Sequence, residues 1–115
     1  MATTREPVQC PTATREWKAW VNKMPPGPQS FHVIGSVQAP TPGYEVKMKR
    51  AVPQGINPAQ LILDLELVPK PGGWPDVLTW LPAEYVERPY HDSFKEVAIR
   101  CKGEILKVIP IEEVF

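Results

Sequence analysis

Residues 61–68 of this 115-residue chain read LILDLELV, with four leucines at alternate positions. Successive side chains of an extended strand point to opposite faces, so the leucines share one face while Asp64 and Glu66 lie on the other. Residues 44–49, YEVKMK, alternate in the same way between apolar and charged side chains. This alternation is typical of half-buried antiparallel strands, and it predicts a mainly β protein.

The period of two continues through most of the chain after residue 30. It predicts strands near residues 30–37, 44–49, 61–68, 77–87, 96–101 and 105–109. The 15 prolines fall largely between these runs, where a residue without an amide donor marks strand ends. Strands of this number and spacing favour an immunoglobulin-like antiparallel β-sandwich of about six to seven strands. A small barrel stays open as the alternative, whereas parallel pairing, which would need crossover helices, is not expected.

The segment before residue 25 has a different period. Apolar side chains fall at i, i+3, i+4 and i+7, the spacing of one helix face, at Trp17, Trp20, Val21 and Met24. A period of two fits worse because Trp20 would lie opposite Trp17 and Val21. We therefore predict one short N-terminal helix that ends before Pro25-Pro26 and covers one face or end of the sheet.

Length and charge limit the architecture and the partners. We predict a single domain over residues 14–115, preceded by an irregular arm over residues 1–13. The 13 basic and 13 acidic residues cancel, which argues against nucleic acids and anionic membranes as partners. No apolar run approaches roughly 20 residues and no secretory leader is visible, so a cytoplasmic location is expected unless a leader has been removed.

The chemically reactive residues form no recognisable catalytic or metal-binding pattern. Cys10 and Cys101 form no CxxC pair and are expected as free thiols, with a disulfide between them as the alternative. Residues 91–93 read HDS, but consecutive residues cannot converge in the geometry of a hydrolase triad. No two of the histidines and cysteines share a metal-ligand spacing. The sequence therefore predicts no catalytic residue, no metal and no cofactor.

Three loops carry Pro or Gly beside an aromatic residue, and each borders a predicted strand. They read APTPGY at residues 39–44, KPGGW at residues 70–74 and ERPY at residues 87–90. Loops on a rigid strand scaffold often carry binding function. Their aromatic side chains are either contact residues for a partner or caps on the core, and the sequence leaves both open. The candidate binding residues are Thr41, Pro42, Gly43, Tyr44, Gly72, Gly73, Trp74, Arg88 and Tyr90.

In their order, the three loops resemble those of the chagasin-like inhibitors of papain-type cysteine proteases, whose motifs are N-P-T-T-G-[YF], G-x-G-G and R-P-[WF]. The resemblance implies an immunoglobulin-like sandwich whose loops enter and flank a protease cleft. By position, Thr41 and Gly43 would enter the cleft. The residues that would brace either side are Gly72-Gly73 and the pair Arg88 and Tyr90.

A second resemblance and a geometric condition complete the functional prediction. Residues 41–46, TPGYEV, are similar to the T-G-G-Y-x-V signature of the PrcB C-terminal type, a small bacterial domain associated with protecting a protease.

The three loops share one end of a sandwich only if an even number of strands separates them, and residues 75–87 have room for one strand or a cramped hairpin. The sequence predicts a non-catalytic protein-binding domain, with protease inhibition as its sharpest version. The alternatives are a small bacterial assembly domain that self-associates through an edge strand and, third, an enzyme.

Overall fold

Seven β-strands make up most of residues 9–115, the part of the chain that the computed structural model describes. They are β1 (Ala13–Asn22), β2 (Ser30–Ala39), β3 (Tyr44–Arg50), β4 (Gln60–Pro69), β5 (Thr79–Glu87), β6 (Glu96–Cys101) and β7 (Glu104–Val114). They form one sheet in the order β3-β4-β6-β7-β1-β2-β5. The sheet curls until its edge strands β3 and β5 contact each other, so the molecule is close to a barrel in shape. The prediction of a mainly β protein is confirmed.

The strand pairing is mixed, which corrects the expectation of a purely antiparallel sheet. Four neighbouring pairs are antiparallel, but β1 runs parallel to β7 and β4 runs parallel to β6. Parallel neighbours need a crossover connection, which is commonly a helix. Here β5 is part of the connection from β4 to β6, and it pairs with β2 in the other half of the sheet. A strand therefore serves as the crossover, and the absence of room for helices did not exclude parallel pairing.

The prediction of an N-terminal helix was wrong, because its residues form β1. Trp17, Ala19 and Val21 face the core, while Trp20 lies on the outer face and stacks on His32 of β2 with 5.0 Å between ring centroids. The helical spacing arose because one tryptophan packs inside the sheet and the other packs outside it. A β-bulge between Arg15 and Lys18 also interrupts the regular alternation of β1.

Burial confirms the alternation in β2 and β4. The buried core includes the four leucines of residues 61–67, Phe31, Val33 and Val37 of β2, and Val97 and Ile99 of β6. Trp17 packs closely against Gly35, where an added Cβ would lie 2.3 Å from the Trp17 ring. Gly35 therefore lets β2 approach a large aromatic ring that a longer side chain would displace.

The expectation of free thiols was also wrong, because Cys10 and Cys101 form a disulfide across a sequence separation of 91 residues. Cys101 ends β6, and Cys10 follows Gln9, which forms an isolated antiparallel bridge with Leu67 of β4. The topology brings the two cysteines together although their spacing in the sequence gives no sign of it. Residues 1–8 of the predicted irregular arm lie outside the described residues.

Candidate functional site

Strand direction places two of the three candidate loops at the same end of the molecule. Tyr44 pairs with Pro69, so β3 begins where β4 ends. Ala39 pairs with Thr79, so β2 ends where β5 begins. The loops of residues 39–44 and 70–78 therefore lie side by side, and we call them together the Trp74 end.

The two loops of the Trp74 end contact each other through Gly43 and Trp74. An added Cβ on Gly43 would lie 2.2 Å from Cδ1 of Trp74, so the indole ring packs directly against this glycine. The Lys70 amide donates a hydrogen bond of 2.8 Å to the Gly43 carbonyl. The Trp74 Nε1–H donates to the Lys70 carbonyl at 3.3 Å, and the Lys70 ammonium lies 4.9 Å from the Trp74 ring centroid. The sequence predicted both loops but not this contact between them.

The Trp74 end presents apolar side chains to solvent from a braced loop. Every residue from 70 to 78 is exposed, and the exposed fractions are 42% for Trp74, 56% for Val77 and 63% for Leu78. Thr41 stabilises the neighbouring loop by accepting a hydrogen bond of 3.0 Å from the Gly43 amide to its hydroxyl oxygen. The sequence-predicted Pro42, Tyr44, Gly72 and Gly73 also lie here, and the Tyr44 ring packs against the core.

The third candidate loop lies at the opposite end of the molecule. A single strand, β5, separates Trp74 from Arg88, and Glu87 pairs with Phe31 near the start of β2. Arg88 is exposed, but Tyr90 is only 3% exposed and stacks on Phe31 with 5.0 Å between ring centroids. Tyr90 is thus a cap on the core, and the three loops do not form one surface.

A charged cluster beside the third loop joins the two edge strands. Arg50 of β3 donates to both carboxylate oxygens of Glu87 in β5, at 2.5 and 2.7 Å, and to Asp92 at 2.6 Å. The Tyr85 hydroxyl also donates to Glu87. We call these four residues the Arg50 clasp. Their spacing in the sequence gives no sign of it, since Arg50 and Glu87 lie 37 residues apart.

Burial and hydrogen bonding shift the pKa values within the Arg50 clasp. Burial alone would raise the pKa of Glu87, but the hydrogen bonds from Arg50 and Tyr85 outweigh it and hold that pKa below its ordinary value. Burial, together with the hydrogen bond to the Glu87 carboxylate, raises the pKa of Tyr85 to about 12. The clasp is therefore ionic at neutral pH, with Glu87 and Arg50 charged and Tyr85 protonated. The hydrogen bonds of the clasp join its four side chains to one another. The clasp therefore stabilises the junction of β3 and β5.

The remaining chemical candidates do not converge on a site within residues 9–115. His91, Asp92 and Ser93 are exposed directly after the third loop, and Asp92 accepts a hydrogen bond from Arg50. The described residues contain no group of three His, Cys, Asp or Glu side chains placed to hold a metal ion. In the same part of the chain, no helix has the length and apolar character needed to cross a bilayer.

Comparison with family models, with curated proteins and with solved structures finds no match to this chain. The resemblances to the chagasin-like inhibitors and to the PrcB C-terminal type thus rest on the loop residues alone.

Proposed function

We propose that this protein is a non-catalytic protein-binding domain that contacts its partner through the Trp74 end. The observation that carries the proposal is the exposed apolar set Trp74, Val77 and Leu78 on a loop that packs against Gly43. Aromatic and aliphatic side chains clustered on a protein surface mark interaction sites. An aromatic ring that is already held in place loses little conformational freedom on binding, which favours affinity.

The proposal is tested by immobilising three proteins and comparing the partner proteins that each one captures. The three are the wild type, the Val77→Ser/Leu78→Ser variant and the Val52→Ser variant. Both altered positions of the first variant are exposed, so the fold should tolerate it. Val52 is 92% exposed in the loop after β3, at the opposite end, and provides the matched control. We expect a partner that the wild type and Val52→Ser retain and that Val77→Ser/Leu78→Ser loses. Equal retention by all three proteins would contradict the proposal.

Inhibition of a papain-type protease is the sharper version of the same function. The juxtaposition of Thr41 and Gly43 with Gly72 and Gly73 at one end supports it, because these loops could approach a cleft together. Arg88 and Tyr90 are at the other end, so such an inhibitor would use two loops and not three. We expect the wild type to inhibit papain and Thr41→Arg to lose that inhibition. If neither papain nor related proteases are inhibited, the inhibitor version fails and the broader binding function is unaffected.

The compartment and the fold family complete the proposal. The Cys10–Cys101 disulfide favours an oxidising compartment over the cytoplasm that the sequence predicted, because structural disulfides persist where thiols are oxidised. A non-reducing mass measurement on protein taken from its native host tests this, and two free thiols there would support the cytoplasm.

The immunoglobulin-like sandwich stays a prediction, and the single curled sheet favours the small-barrel alternative. Self-association through an edge strand is not favoured, because the edges β3 and β5 contact each other.

A further inference from the structure

Residues 9–12 connect the bases of the two loops that form the Trp74 end, and we call this segment the strap. Gln9 exchanges two backbone hydrogen bonds with Leu67, at 3.1 and 3.0 Å. Leu67 lies just before the loop of residues 70–78. At the other end of the strap, the Thr12 amide donates to the Gln38 carbonyl at 3.3 Å, and its hydroxyl donates to the Gln38 side chain at 3.1 Å. Gln38 directly precedes the loop of residues 39–44.

The strap covers a part of β4 that β6 does not reach. The parallel pairing of β4 with β6 ends at Asp64 and Arg100. Beyond that point, the bridge between Gln9 and Leu67 is isolated among the described residues. At its Gln9 end the strap is joined to β4 by this one backbone pair, whereas Thr12 at the other end is bonded to β2, and a chain end held by few hydrogen bonds opens readily. Among the described residues, the covalent bond from Cys10 to Cys101 is therefore the strongest restraint on the Gln9 end of the strap.

We propose that the Cys10–Cys101 disulfide is a redox latch that fixes the loops of the Trp74 end. With the disulfide formed, the strap holds Leu67 and Gln38, and through them the bases of both loops. With the disulfide reduced, the strap separates from β4 and the contact between the loops loosens. The binding surface is then complete only in the oxidised chain. The link to binding rests on the proposed function, whereas the latch can be observed without any partner.

The chemistry of the latch is thiol–disulfide exchange with a dithiol. A thiolate of the dithiol attacks the sulfur of Cys10, which is half-buried, and the buried Cys101 leaves as a thiolate and takes up a proton. The second thiol of the dithiol then attacks the mixed disulfide and releases Cys10, which is also protonated. The protein disulfide gains two electrons and two protons, and the dithiol becomes a cyclic disulfide.

Amide hydrogen exchange followed by NMR tests the latch on the full chain, oxidised and after reduction with dithiothreitol. The Leu67 amide reports on the strap because it donates to Gln9, and the Lys70 amide reports on the loop contact because it donates to Gly43. The Ala51 amide, which donates to Ile62 at the opposite end, is the internal control. We expect reduction to accelerate exchange at Leu67 and Lys70 by roughly tenfold or more relative to Ala51. Cys10→Ser should reproduce this without reductant, while Thr12→Ala keeps the disulfide and should leave Leu67 protected.

Three results would overturn the latch. Unchanged exchange at Leu67 would show that the strap does not need the disulfide. Faster exchange at Leu67 with unchanged exchange at Lys70 would show that the strap does not control the loops. An equal acceleration at Leu67, Lys70 and Ala51 would show that the disulfide stabilises the whole molecule without a local effect. Each result stands whether or not the Trp74 end binds a protein, so failure of the latch and failure of the proposed function are distinguishable.

Discussion

Gly43 is the residue on which the geometry of the Trp74 end depends most directly. Its missing side chain leaves the space that the Trp74 ring occupies, and a Cβ there would lie 2.2 Å from the ring. We expect Gly43→Ala to displace Trp74 and to lower the free energy of unfolding by about 1–3 kcal/mol, the usual effect of overpacking. Urea denaturation followed by tryptophan fluorescence measures the free energy of unfolding, and the fluorescence spectrum of the folded protein reports the displacement of Trp74.

Gly73 provides the matched control for that substitution, because it directly precedes Trp74 in the neighbouring exposed loop of residues 70–78. An added Cβ at Gly73 meets no atom within 4 Å. We expect Gly73→Ala to change the free energy of unfolding by less than about 0.5 kcal/mol. If both alanine variants unfold at the same urea concentration, the close packing of Trp74 on Gly43 is not a constraint on this chain.

At the scale of the strand, the Arg50 clasp joins β3 to β5 and makes that junction sensitive to acid. The folded-state pKa of Glu87 lies below its ordinary value of 4.5, so the folded protein binds fewer protons than the unfolded chain. The stabilisation is therefore fully present above that value and is lost as the pH falls through the folded-state pKa. We expect the stability difference between wild type and Glu87→Gln to shrink as the pH falls below the ordinary Glu pKa of 4.5 and through the lower folded-state pKa.

Urea denaturation at a series of pH values measures this difference. Glu84→Gln is the control, because Glu84 is exposed on the same strand, and it should keep the pH dependence of the wild type. If the difference in the free energy of unfolding between wild type and Glu87→Gln stays constant down to the lowest pH of the series, the clasp is not held by the charge of Glu87.

The strands themselves were predictable where a single period dominates the sequence. In β4 the leucines alternate without interruption, and the structure buries all of them. In β1 the pattern was ambiguous, because Trp20 gains a partner only when β2 places His32 beside it. That partner comes from strand pairing, which local sequence does not contain. The same limit applies to the parallel pairing of β4 with β6, whose crossover strand β5 lies in the other half of the sheet.

The candidate site was predictable as separate loops and not as a surface. Pro and Gly beside aromatic residues marked the connections from β2 to β3 and from β4 to β5 as loops, as the structure has them. Their contact through Gly43 and Trp74 depends on the pairing of β3 with β4, so the sequence alone could not show it. Tyr90 carried the same local signal but lies at the opposite end, because one strand and not two separates it from Trp74, and there it stacks on Phe31.

For the molecule as a whole, the disulfide is the longest-range restraint, since it joins residues separated by 91 positions. A cross-link over so long a loop restricts the unfolded chain strongly, and native disulfides typically contribute about 2–4 kcal/mol. We expect reduction to lower the free energy of unfolding by that amount, measured by urea denaturation with and without dithiothreitol. The Cys10→Ser/Cys101→Ser variant should unfold like the reduced wild type and should not respond to dithiothreitol. If oxidised and reduced wild type unfold at the same urea concentration, the disulfide does not contribute to the free energy of unfolding and the prediction is wrong.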